Sequence, residues 1–71
     1  MAGRPLELRI TRKGRHEATI EANADPANPG ELRQILTAWL EGNRWHPGRW
    51  GEFEMTAFEA GTSKRAGKVR A

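Results

Sequence analysis

Three stretches of this chain alternate apolar and polar side chains with the period of two expected of a strand with one buried face. A fourth repeats with the period of an amphipathic helix. Leu6, Leu8 and Ile10 alternate with Glu7, Arg9 and Thr11, and Ala18, Ile20 and Ala22 alternate with Glu17, Thr19 and Glu21. Between them, Arg12-Lys13-Gly14 fits a three-residue hairpin loop whose third position needs a positive φ, a conformation glycine adopts without steric cost. Pairing Thr11 with Arg15 then puts Leu8 opposite Ala18 and Leu6 opposite Ile20, whereas a two-residue loop sets apolar residues against polar ones. The same parity places His16 on the buried side.

Asn28-Pro29-Gly30-Glu31 reads as a helix start, with an N-cap asparagine, proline at the first helical position and an acid at the third. Leu32, Ile35, Leu36, Trp39 and Leu40 follow as one apolar stripe, with Arg33, Gln34, Thr37 and Glu41 on the other side. A helix over 29–41 is predicted, ended by Gly42-Asn43 with the glycine in a left-handed cap. Phe53, Met55 and Ala57 alternate with Glu52, Glu54 and Thr56, which predicts a third strand over 50–59. Phe58 falls on its polar side, as an end-of-strand cover or an exposed contact. Residues 61–71 hold one large apolar side chain, Val69, too little to offset the entropy of ordering. The expected organisation is a single ββαβ domain over residues 1–60 and a basic, disordered tail over 61–71.

The fold class that follows is α+β, with one amphipathic helix packed on one face of a small mixed sheet. The last strand is expected to return beside the first and parallel to it. This element order over residues 5–60, with the glycine-containing hairpin Thr11-Arg12-Lys13-Gly14-Arg15, resembles the ubiquitin-like β-grasp proteins. The C-terminal Gly-Gly through which modifiers and sulfur carriers of that family act is absent, since the chain ends Lys68-Val69-Arg70-Ala71, so the resemblance implies no conjugation chemistry.

Composition narrows the function. Seventy-one residues make one domain, and the absence of cysteine excludes disulfides, thiolate metal sites and a cysteine nucleophile. No apolar run has the length of a membrane helix and no secretory signal is legible, so a soluble cytoplasmic protein without membrane contact is expected. Arginine dominates over lysine, alanine is abundant and isoleucine scarce, a bias that suggests a high-GC source such as an actinobacterium or its phage. The net charge is +3, but Lys64, Arg65, Lys68 and Arg70 lie in the last eleven residues with no acid beside them. The remainder is close to neutral, and on the outward sheet face glutamates outnumber cations.

Two histidines, His16 and His46, and scattered carboxylates offer no constellation for acid–base, nucleophilic or metal chemistry. A non-enzymatic protein without cofactor or metal is expected. The most suggestive stretch is Arg44-Trp45-His46-Pro47-Gly48-Arg49-Trp50, in which two indoles and two guanidinium groups flank a proline-glycine turn. Buried, the indoles would form a lid on the core; exposed, they are typical anchors of a protein interface. The expected function is docking on a macromolecular protein partner through Arg44, Trp45, His46, Arg49 and Trp50, as an accessory or phage protein acting on a host factor. The alternative is nucleic-acid binding through Lys64, Arg65, Lys68 and Arg70 together with the Trp and Arg side chains of the turn. An exposed strand edge also allows two copies to pair.

Overall fold

The computed structural model describes residues 3–71; residues 1–2 of the expected domain lie outside the described part. Strands β1 (Arg4–Arg12) and β2 (Arg15–Ala24) form a hairpin, followed by helix α1 (Pro29–Gly42), a 3-10 helix (Pro47–Glu52), β3 (Phe53–Glu59) and β4 (Arg65–Arg70). The four strands make one sheet in the order β2-β1-β3-β4, and every neighbouring pair is antiparallel. The α+β class holds, but the sheet is not mixed.

Connector length explains the direction of β3. Helix α1 has 14 residues, about 21 Å of rise, close to the length of a seven-residue strand at about 23 Å. The connector 25–28 is short, and residues 43–52 between α1 and β3, six of them wound into the 3-10 helix, stay at one end of the sheet, where Lys13 N donates to Glu52 O. The helix therefore returns the chain to the hairpin end, and β3 leaves from there, pairing Arg12 with Phe53 and Leu6 with Glu59. It lies beside β1, as expected, but runs opposite to it.

The hairpin differs from the predicted one in its turn. Lys13 and Gly14 both take positive φ, 52° and 82°, and Arg12 faces Arg15. This is a two-residue turn of the kind whose twist matches that of the flanking strands. The parity conflict is removed by a bulge opposite Ile10 and Thr11, in which Glu17 is the extra residue. Beyond it Leu8 faces Ile20 and Leu6 faces Ala22, so the apolar set still shares one face. His16 instead pairs with Thr11; it is exposed, with Nε2 2.8 Å from Thr19 Oγ1, and not on the buried side.

The helix starts as predicted. Asn28 Oδ1 accepts a hydrogen bond from Glu31 N, and the Asp25 side chain closes the preceding turn on Ala27 N. Leu32, Leu36 and Leu40 are fully buried against Leu6, Leu8, Ile10, Phe53, Met55 and Ala57. Ile35 and Trp39 pack at the edge of this core.

Residues 65–70 are the largest departure from expectation: the predicted tail is an edge strand. Met55 faces Val69 and Ala57 faces Gly67, Val69 is buried, and Arg33 Nε donates to Arg70 O. The strand packs under the helix with Val69 and Gly67 at inward positions, a mode of burial that a count of large side chains does not register. Its outward side changes the electrostatics of the sheet. Lys68 and Arg70 reach Glu54 at 3.0 and 3.6 Å, and Arg9 reaches Glu7 at 3.4 Å. Charges on this face are interleaved, not acidic, and half-buried Phe58 lies 4.3 Å beneath the Arg9 guanidinium.

Candidate functional site

The tryptophan turn is built on the end of α1. Arg44 N donates to Glu41 O and Trp45 N donates to Leu40 O, the paired bonds of a Schellman motif that satisfy carbonyls left open at a helix C-terminus. The left-handed residue this motif requires is Arg44, at φ 60°, and not Gly42. Asn43 Nδ2 adds a third bond to Trp39 O at 2.8 Å.

From that reversal Trp45 is folded onto the core. Its ring meets Phe53 edge to face with centroids 4.8 Å apart, and Trp39 lies 6.1 Å from the same phenyl ring. The guanidinium of Arg12 lies 4.9 Å from the centre of the Trp45 ring. His46 then caps the 3-10 helix, its Nδ1 accepting from Gly48 N at 3.0 Å, which requires Nδ1 to be the unprotonated nitrogen. Trp50 Nε1 donates to Trp45 O at 3.0 Å, tying the end of the turn to its beginning. Both indoles are half-buried and packed against the core, so neither is a free anchor and neither is sealed inside. Arg44, His46, Pro47, Gly48 and Arg49 are exposed above them.

The fold brings further charge to the same end. Glu52 Oε1 accepts from Arg12 Nε at 2.9 Å and lies 3.9 Å from Lys13 Nζ. The bond from Arg12 holds this carboxyl below the ordinary glutamate range; partial burial opposes the shift, and the charges of Lys13, Arg12 and Arg49 add to it. Lys13 N also donates to Glu52 O, fastening the β1–β2 turn to the 3-10 helix. Arg12, Lys13, Arg15, Arg44 and Arg49 therefore share one end of the molecule, with Glu17 and Glu52 among them.

Of the residues singled out from sequence, Arg44, Trp45, His46, Arg49 and Trp50 form one continuous structure. Lys64, Arg65, Lys68 and Arg70 do not join it as a group. Arg65 pairs with Phe58, and Lys64 O accepts from Glu59 N, which puts these two cations at the end opposite the turn; Lys68 and Arg70 are engaged with Glu54. Sequence reasoning missed Arg12, Lys13, Arg15 and Glu52. Their membership depends on the register of β1 against β3, which no local pattern announces. Among the described residues no three His, Asp or Glu side chains gather as metal ligands would. Compared with known families, curated proteins and solved structures, the chain finds no match.

Proposed function

We propose that this protein is a small, non-enzymatic binding module that docks on a protein partner through the end of the fold built from the tryptophan turn. An accessory or phage protein acting on a host factor fits this reading. The observation that supports it is the construction of the turn: Arg44, His46 and Arg49 are exposed on a base fixed by Trp45 against Phe53 and by the Trp50 bond to Trp45 O. Trp and Arg are the side chains most often found as interface anchors, and a support fixed in advance leaves little loop entropy to be lost on binding.

Truncating Trp45 or Trp50 would disturb the core, so the test uses exposed positions. A photo-crosslinking side chain is placed at position 49 and, in a second variant, at position 64 at the opposite end; both are exposed to lysate of the source organism or host, with and without nuclease. A discrete protein adduct from position 49 that survives nuclease and is missing from position 64 is the expected result. Adducts that vanish with nuclease would transfer the function to nucleic acid, and equal labelling from both positions would remove the assignment of this end.

A further inference from the structure

Among the described residues, two that are not glycine take a left-handed φ: Lys13 at 52° and Arg44 at 60°. Side chains at such angles crowd the backbone, a penalty glycine escapes and asparagine largely avoids. Both positions have a favoured occupant. The two-residue hairpin turn favours asparagine before glycine, and the Schellman motif favours glycine. Lys13 and Arg44 are nevertheless long cations, both exposed and both at the hairpin end. Neither gains much within the fold. Lys13 has a 3.9 Å approach to Glu52 with its side chain 68% exposed, and Arg44 makes no salt bridge among the described residues. Two local preferences are thus overridden at one end of the molecule, each in favour of a positive charge.

Their surroundings extend the pattern. Arg12, Lys13 and Arg15, with Glu17, line a shallow depression of about 330 Å³, and Arg49 lies beside Glu52 closely enough to lower its pKa. The half-buried rings of Trp45 and Trp50 lie in the same region. We infer that this end receives a carboxylate-rich segment of the protein partner, in which acidic side chains meet the cations and intervening apolar side chains rest on the indole edges. The inference rests on the docking function proposed above and names the chemistry of the partner. Glu17 and Glu52, standing among the cations, are compatible with separated carboxylates. They disfavour a nucleic-acid strand, which carries a negative charge at every nucleotide.

The strain provides the test, because structural and functional roles predict opposite outcomes. The double variant Lys13→Asn, Arg44→Gly relieves both backbone penalties, and its thermal midpoint is expected to rise by about 4–8 °C. Its affinity for a fluorescent peptide of alternating glutamate and leucine, read by anisotropy at low salt, is expected to fall about tenfold. Lys64→Ala, Arg65→Ala at the other end should leave that affinity unchanged. Unaltered affinity in the first variant, no saturable binding of the peptide to the native protein, or tighter binding of an oligothymidylate of equal charge would each overturn the inference. The crosslinking result separates the two readings: if protein adducts form at position 49 and the peptide does not bind, docking stands and the acidic partner falls.

Discussion

Gly67 shows how one side chain, or its absence, sets the position of an element. A Cβ there would lie 3.0 Å from Pro26 O and 3.3 Å from Leu32 Cδ1, and the carbonyl belongs to backbone held between β2 and the cap of α1, so it has little freedom to retreat. Gly67→Ala is expected to destabilise the protein by about 1–3 kcal/mol, the usual cost of forcing atoms into a closed contact. Gly42 makes the contrast. A Cβ there meets nothing within 4 Å, and its φ is not left-handed, so Gly42→Ala should stabilise the last turn of α1 by about 0.5 kcal/mol through helix propensity and a less flexible unfolded chain. Urea unfolding of the two variants should move the midpoint in opposite directions. The same contrast explains a misplaced sequence reading: Gly42 looks like the helix stop because it is glycine, while the left-handed turn falls two residues later on Arg44, whose side chain gives no conformational signal.

At the scale of elements, what was legible depended on whether the signal was local. The cap of α1 and its leucine stripe are written within a few residues of one another and form as predicted; so does the placement of Leu6, Leu8 and Ile10 on one face. Parity alone argues against the two-residue turn, because a bulge at Glu17 has no sequence signature strong enough to predict an extra residue in the ladder. Strand β4 was not legible because it stands on tertiary support: hydrogen bonding to β3, the approach of α1 over Gly67, and the pairing of Lys68 and Arg70 with Glu54. Of the candidate site, the contiguous half from Arg44 to Trp50 was read from the chain, while Arg12, Lys13, Arg15 and Glu52 joined it only through strand register. Because β4 is part of the fold, deleting residues 65–71 would expose Met55 and Leu32 and leave the ladder of β3 open. The expected loss exceeds about 3 kcal/mol, from the burial of Val69 and the apolar surface beneath it, a large part of the about 4–11 kcal/mol typical of a chain this size. The truncated protein should show a broadened, low-temperature transition by circular dichroism, whereas removal of a mobile tail would leave the transition where it was.

Across the whole molecule, the ion pairs make stability depend on pH in a direction that can be worked out. Glu52 and Glu54 both titrate below the ordinary glutamate range, the first chiefly through its bond from Arg12 and the second chiefly through its bond from Lys68. A carboxyl whose pKa is lower in the folded than in the unfolded chain binds fewer protons when folded, so its contribution is complete above the unfolded value and is lost as pH falls through the folded one. Stability should therefore be level near neutrality and decline from about pH 4.5 downward. Protonation of the carboxylates also leaves 12 Lys and Arg side chains and 2 His without opposing charge in a small volume, and self-repulsion steepens the decline. Both carboxylates are partly solvent-exposed, so added salt should weaken the pairing above pH 5 and moderate the repulsion below pH 4, flattening the profile at both ends. Thermal midpoints measured across this range should show that flattening. In Glu52→Gln, Glu54→Gln the midpoint should be lower at pH 7, and the gap to the native protein should close as pH falls and the native carboxyls take up protons in their turn. A difference that stays constant down to the lowest pH at which both proteins remain folded would mean that these two residues act through packing and hydrogen bonding and not through charge.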